Sequence, residues 1–439
     1  MSFNSLTFLI FFLPVFILVF YLFPKKYRYI ILLIGSLVFY LYSGLYNFII
    51  ILSIAFINYI GVFIINKYKK KNVFSYVLVA LNIITLLIFK YDNNIIFPLG
   101  ISFYTFNNIS YIIDVMKRKV SYEKNILYYL TYILLFCHVT MGPIVRYKDI
   151  KNNLLNLNPD FNGFHCGLKR LLWGLFKKVL IADSLGILYN TLISNNTSIV
   201  SHIFCLIVFA LQLYIDFSSY CDMAIGLGKI VGINYNENFD YPYLVTSISE
   251  FWRKWHITLG NFFKEYVYFP LGGNRVSKFR HVINLLIVWI LTGMWHGNTI
   301  NFLLWGLYYG IIIILEKLVL KKVLDHLPNF IKHIYVIVIL LFGYIFFSIS
   351  DFNDAILFIK GLFSGSFIDN TIIFYLKENI VLLIISIILC FKLPNNIKKI
   401  YENNNIVYFI TNLICILLYI ISISYIINGT YSPFLYNAF

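Results

Sequence analysis

Two histidines, His256 and His296, stand among apolar residues forty positions apart. Imidazole is the side chain whose ordinary pKa allows proton exchange near neutrality. His296 sits in Leu291-Thr-Gly-Met-Trp-His-Gly-Asn298, after the apolar run Val282 to Trp295 and before the run Thr299 to Leu315. From Val282 to Leu315 there are 34 residues, whereas one membrane span needs about 20 and two need about 40. Two short or tilted helices meeting at Gly297-Asn298 would place His296 inside the hydrocarbon slab, where polar side chains are costly and usually functional. A packed histidine, satisfied by a neighbouring helix, is the competing reading. If the imidazole is functional, burial keeps it neutral and basic. It can then take the proton from a hydroxyl as that hydroxyl attacks an activated acyl carbon.

His256 belongs to a polar, aromatic and basic section, about 229–281, with no apolar run long enough to cross a membrane. There Ser247-Ile-Ser-Glu250 has the spacing of a capping box, in which the hydroxyl and the carboxylate satisfy free N–H groups at a helix start. The helix predicted to follow runs to Tyr266. It puts Trp252, Trp255, His256, Leu259, Phe263 and Tyr266 on one face, with Arg253, Asn261, Lys264 and Glu265 elsewhere. An interfacial amphipathic helix with a passenger histidine competes with a functional reading. The basic residues of the section suit an anionic, phosphate-bearing ligand. A third feature is Asp216, with Asp222, beside the apolar run that begins near residue 203. A carboxylate near membrane depth needs a partner, a watery cavity or a proton. An ion-coupling site, a group orienting a histidine or a hydroxyl, and a pair of interfacial acids are all consistent with that position.

Other chemistries lack their residues. Gly226-Leu-Gly-Lys229 has neither the spacing of a phosphate loop nor the Ser or Thr after its lysine. The nucleophile elbow G-x-S-x-G is absent. His138, His165, His202, His281, His326 and His333 show no metal-ligand spacing, so no catalytic metal is expected. The six cysteines are scattered without a CxxC pair, which implies neither a disulfide framework nor a zinc site.

The elements that must position these residues are membrane helices. The chain has 439 residues, 60% hydrophobic and 12% charged, a balance that belongs to a polytopic membrane protein. Apolar segments are predicted at 6–23, 29–42, 48–66, 73–89, 98–116, 126–142, 168–190, 200–220, 282–296, 299–316, 331–350, 375–392 and 405–427, or roughly eleven to thirteen in all, in one membrane domain over 1–439. Leu6 to Phe23 has no Lys or Arg before it, and Lys25, Lys26 and Arg28 after it, so it reads as a retained span and not as a signal peptide. The net charge of +16 is placed by topology. Basic residues follow the first, third and fifth spans, while the loops between carry almost none. That pattern puts the basic loops in the cytoplasm and the N-terminus outside, and it removes nucleic acid as a partner.

With these residues in place, the chain resembles the membrane-bound O-acyltransferase (MBOAT) family, in the AlgI/PatA-like bacterial branch that acetylates alginate and peptidoglycan. The likeness rests on Phe251-Trp-Arg-Lys-Trp-His256, Tyr268-Phe-Pro-Leu-Gly-Gly-Asn-Arg275 and Met294-Trp-His-Gly297. It extends to Pro98-Leu-Gly-Ile-Ser-Phe-Tyr-Thr-Phe106, Gly142-Pro-Ile-Val-Arg146, Tyr214-Ile-Asp-Phe-Ser-Ser-Tyr-Cys-Asp-Met-Ala-Ile-Gly226 and Ser432-Pro-Phe-Leu-Tyr436. The resemblance implies an all-α fold, a ring of tilted transmembrane helices around a central tunnel, with short cytoplasmic or re-entrant helices. It implies that His296 and His256 are the catalytic pair. Asp216, Trp252, Arg253, Lys254, Trp255, Asn261, Trp295 and Asn298 are then tunnel or substrate-binding candidates, with Arg253 and Lys254 near the donor's phosphates. The implied donor is a cytoplasmic thioester, acetyl-CoA, with no tightly bound cofactor. The implied acceptor is an extracellular polysaccharide (alginate-like, cellulose or peptidoglycan), reached with an extracytoplasmic SGNH-type partner protein at the bacterial plasma membrane. Asn298 after Gly297, and Asn437-Ala438 near the end, depart from the family pattern.

Two alternatives remain from the sequence. One is D-alanyl transfer to teichoic acid from a carrier-protein thioester. The other is a non-enzymatic polysaccharide or lipid transporter coupled through Asp216 and Asp222.

Overall fold

The structure, a computed structural model, describes residues 1–67, 71–92, 94–138, 140–392, 404–429 and 434. It is all-α: among the described residues the sole strand-like pairing is an isolated bridge between Ser198 and Ser366. Helices satisfy their own backbone groups, the condition for crossing lipid. By length and composition, six described helices can cross: Leu45–Lys67, Asn72–Tyr91, Ile199–Val231, Ile300–His326, Asn329–Ser348 and Asn405–Ile427. Asn370–Glu378 and Ile380–Leu389, bent by 64°, make a possible seventh crossing. The apolar segments predicted from hydropathy, several of them expected to be re-entrant or split, include each of these crossings. The segment 126–142 is helical only over Ile126–Leu134. Beyond it the chain is a buried loop whose backbone is held by side chains: Phe136 N donates to Ser36 Oγ at 3.2 Å, and Tyr132 Oη to the Val145 carbonyl at 2.9 Å. Hydropathy reports burial, and a buried loop reads like a buried helix. Most of the motif at 432–436, and the departure at 437–438, lie outside the described residues.

The expectation from sequence is one membrane domain; contacts within the chain group it into two compact units. The first takes its residues from within Met1–Leu175, Tyr220–Glu237 and Ile426–Asn437. Phe8, Phe12, Phe16, Phe39 and Phe136 form one aromatic cluster there. Asn58 and Asn82 exchange side-chain hydrogen bonds of 3.1 and 2.6 Å between two crossing helices, the polar glue expected in lipid. Asp222 accepts from Arg170 at 3.0 Å, and the same guanidinium binds Glu237 at 2.5 Å. His138 is fully buried with a neighbour at each ring nitrogen, Tyr235 Oη at 3.2 Å and Asn107 Nδ2 at 3.3 Å. It is a packed, satisfied histidine.

The second unit takes its residues from within Phe176–Ser219 and Asn238–Tyr425. It holds both candidate histidines, and the helices that build the site are α1 (Ile199–Val231, through Ser219), α2 (Ile248–Lys254), α3 (Ile257–Phe263), α4 (Lys278–His296), α5 (Ile300–Leu315) and α6 (Asn329–Ser348). The break expected after His296 is present: α4 ends on it, and Gly297 to Thr299 turn the chain into α5. The α4–α5 hairpin is tight because glycines face backbone. A Cβ on Gly293 would lie 2.5 Å from the Phe302 carbonyl oxygen, and one on Gly306 would overlap the Trp289 carbonyl. Small residues of this kind let membrane helices approach closely. Gly306→Ala is therefore expected to force the hairpin apart, at a cost of about 1–3 kcal/mol for overpacking. A melting temperature in detergent equal to that of the wild type would show that the close approach is not needed.

Candidate active site

The helix predicted from Ser247 to Tyr266 is broken at its candidate residue. α2 stops at Lys254, and His256 takes a left-handed conformation (φ 45°, ψ 54°) before α3 begins. An L-residue pays about 1–2 kcal/mol for that geometry, so its surroundings must hold it there. They do so through Asn238, whose carbonyl accepts from Ile257 N at 2.9 Å and whose Oδ1 accepts from Thr258 N at 3.1 Å. The start of α2 is fixed as well. Ser247 Oγ accepts from Glu250 N at 3.1 Å, as a capping box requires, but the Glu250 carboxylate takes Thr246 N at 3.2 Å in place of the Ser247 amide. A second carboxylate, buried Glu316, accepts from Ile248 N at 2.7 Å and Ser249 N at 2.8 Å. Its negative charge sits at the positive end of α2, tying that helix to the end of α5.

His256 is 2% exposed, with the Phe217 ring of α1 edge-on at 4.8 Å and the Trp295 ring at 6.0 Å. Its segment lies between the crossings, and burial pushes its imidazole down from the usual value, to about 3, so it is neutral at physiological pH. His296 is 3% exposed and caged by Trp295 and Trp305 at 4.8 Å each and by Phe347 of α6 at 5.3 Å.

The two histidines line one cavity of about 320 Å³. Around it Trp252 packs against Trp289, Trp305 and Tyr309 at 4.9, 5.4 and 4.8 Å. The histidines are buried in its wall, whereas Arg253, Lys264 and Lys317 are exposed at it. No carboxylate is among the lining residues. Such a cavity has an aromatic interior with two imidazoles and a cationic rim, which suits an anionic ligand whose reactive end is uncharged.

Of the residues singled out from sequence, His256, His296, Trp252, Arg253 and Trp255 line this cavity. Trp295 is outside the lining set, and its ring packs on both imidazoles, 6.0 Å from that of His256 and 4.8 Å from that of His296. Asn261 and Asn298 are exposed and outside the lining set. Lys254 does not reach the cavity: its Nζ lies 3.3 Å from Glu250 and 3.9 Å from Asp240, because those carboxylates are its near neighbours. Lys264 and Lys317 provide the charge expected of it. Asp216 is likewise committed elsewhere. It is buried and receives Lys178 Nζ at 2.8 Å, while the same ammonium lies 2.6 Å from Asp183. Asp222 binds Arg170, so both acids of the transporter reading are already paired with cations. Sequence reasoning missed Asn238, Trp289, Trp305 and Glu316. Only the buried-acid logic that drew attention to Asp216 would have found Glu316, which interrupts an apolar run. Among the described residues no three His, Cys, Asp or Glu side chains converge as a metal would require.

Comparison with known proteins finds relatives over most of the chain. The family described as MBOAT, membrane-bound O-acyltransferase, matches residues 36–352. A probable alginate O-acetylase AlgI of Pseudomonas aeruginosa is 32% identical over 390 residues, covering 83% of this chain and 75% of its own. A peptidoglycan O-acetyltransferase of Helicobacter pylori is 31% identical over 402 residues, covering 79% and 75%. A teichoic acid D-alanyltransferase of Bacillus subtilis is 24% identical over 233 residues, covering 50% and 59%.

Proposed function

The chain belongs to the membrane-bound O-acyltransferase family, and from that premise we propose that it moves an acetyl group from acetyl-CoA, on the cytoplasmic side of the bacterial plasma membrane, to a hydroxyl destined for an extracellular polysaccharide. It is a multi-pass membrane acyltransferase. The observation that carries the finer reading is the single cavity in which two buried imidazoles stand behind a rim of Arg253, Lys264 and Lys317. The phosphates of the donor meet the cationic rim, and its uncharged thioester reaches inward. The acceptor oxygen attacks the thioester carbonyl carbon while His296 takes the hydroxyl proton. The tetrahedral intermediate then collapses, the C–S bond breaks, and the proton passes to the leaving thiolate, giving an acetyl ester and free CoA. A cavity of this volume is at the small end of ligand sites, about 300–1,000 Å³. It accepts a donor arm and one hydroxyl, not a polymer strand. The family resemblance implies that delivery to the polysaccharide falls to an extracytoplasmic SGNH-type partner, with the N-terminus on that same side. Likeness over most of the chain to proteins named for O-acetylation, against half of it for a D-alanyltransferase, favours acetyl as the group moved.

The test is transfer of label from radiolabelled acetyl-CoA to alkali-labile material in inside-out membrane vesicles holding the full chain. Turnover is expected with acetyl-CoA; turnover only with a D-alanyl carrier-protein thioester would turn the reading to D-alanyl transfer. In the same assay, Lys264→Ala combined with Lys317→Ala should raise the KM for acetyl-CoA at least roughly tenfold, since a charged hydrogen bond contributes about 1.5–3 kcal/mol. The kcat should change little, because rim charge supplies binding that is uniform along the reaction. An unchanged KM at low ionic strength would remove the phosphate role from the rim.

A further inference from the structure

Asn238 lies in the loop after α1, eighteen residues before His256. Its side chain ends in one acceptor and one pair of donors, which shape alone does not distinguish. The backbone distinguishes them. Thr258 N lies 3.1 Å from one terminal atom, and since a backbone N–H can only donate, that atom is the carbonyl oxygen. The Thr258 hydroxyl donates to the same oxygen at 2.9 Å, and His256 Nδ1 lies 3.1 Å from it. An amide oxygen has no proton to give. His256 Nδ1 must therefore carry the proton and donate it, and the neutral ring keeps its lone pair on Nε2. That Nε2 atom is buried and meets no hydrogen-bond partner among the described residues, on a side chain that lines the cavity with His296. His138, by contrast, has a polar neighbour at both ring nitrogens.

We propose that Asn238 is the positioning residue of the second histidine: it locks His256 in the Nδ1–H tautomer, so that Nε2 accepts a hydrogen bond from an O–H or N–H of the bound substrates. The proposal rests on the cavity being the acyl-transfer site. It also assigns His256 a side of the reaction, because a thioester carbonyl has no proton to offer a lone pair. The donating group is the acceptor's hydroxyl or an amide N–H of the donor's pantetheine arm, two sources of one chemistry. Asn238 further holds the left-handed turn that aims the ring, through the bonds from Ile257 N and Thr258 N. A neutral amide does what a carboxylate in its place would not. A negative charge 3 Å from the ring favours imidazolium, which puts a proton on Nε2 and removes the acceptor. Burial already favours the neutral ring. The neighbours of that ring on α1 and α4, Phe217 and Trp295, do not titrate. The charged or titratable groups elsewhere on the cavity are His296, Arg253, Lys264, Lys317 and Tyr268.

The experiment uses the full chain in inside-out vesicles with radiolabelled acetyl-CoA as the probe, read as kcat, KM and a pH profile. Asn238→Asp keeps an oxygen for all three donors and exchanges the amide NH2 for a second oxygen that carries charge. It should accumulate normally, with the acidic limb of its rate profile raised by about one pH unit or more. Asn238→Ala should lower kcat at least tenfold. An accompanying rise in KM for acetyl-CoA assigns the bond to the pantetheine amide, and an unchanged KM assigns it to the acceptor hydroxyl. If Asn238→Ala does not accumulate, the Asp variant alone decides, since a merely structural asparagine would not move a pH profile. Wild-type kcat and profile in the Asp variant, while His256→Ala and His296→Ala abolish transfer, overturn the role of Asn238 alone. Full transfer in both histidine variants overturns the reading of the cavity on which it rests.

Discussion

His296→Ala is expected to lower acetyl transfer by about 10² to 10⁴-fold, the range that a positioned general base contributes, with protein abundance near normal. The size of the effect follows from how few groups in the cavity can accept a proton. Its lining residues include no carboxylate, so nothing else of acidic character can replace the lost imidazole. His256 does not compensate, because its ring is held through Nδ1 by Asn238. The substitution also leaves a gap among Trp295, Trp305 and Phe347, so His296→Gln is the better control: it fills much of the space but is no base at neutral pH. Both variants should fail alike. Transfer at the wild-type rate in His296→Gln, with normal abundance, would leave His296 as a packed residue and return the cavity to an unassigned state.

The reason His296 was visible in the sequence while its partners were not is geometric. A histidine between two apolar runs too short for two full spans forces a helix break, and the break is found at Gly297 to Thr299. The register of α2 was equally legible, because Ser247 caps it through a local hydrogen bond. What periodicity could not show is the kink at His256. The residues from Trp252 to Tyr266 keep a helical pattern straight through it, and the break comes from Asn238, a partner distant in sequence that takes the two N–H groups following His256. Lys254 lies outside the lining set for a related reason: charge read along a chain does not say which side of a helix meets the cavity, and Glu250 and Asp240 are its near neighbours. Long-range pairing, not propensity, accounts for each of these misses.

Lys178 presents the same lesson with the largest expected effect on stability. The predicted span 168–190 holds Lys169, Arg170, Lys177, Lys178 and Asp183, and 200–220 holds Asp216, so buried charges need partners, but the sequence does not say which of them meet. In the structure the Lys178 ammonium sits between Asp183 and Asp216, all three side chains nearly inaccessible. Lys177 Nζ donates to Ser218 Oγ at 2.6 Å, two residues further along α1. The next residue after Asp216 is Phe217, whose ring packs on His256. The ion cluster therefore fixes the stretch of α1 that forms one wall of the histidine's surroundings. Lys178→Met keeps the length of the side chain and removes the cation from two buried carboxylates, a change that costs about 3–5 kcal/mol when a buried pair is broken from one side. The variant should melt well below the wild type in detergent and lose transfer in parallel. Adding Asp183→Asn and Asp216→Asn removes the stranded charges and should restore much of the melting temperature, because a buried ion cluster exchanged as a whole for neutral groups is often close to neutral in stability. If Lys178→Met alone melts with the wild type, the cluster does not hold α1. If the triple variant recovers stability but not transfer, the cluster serves the reaction as well as the fold.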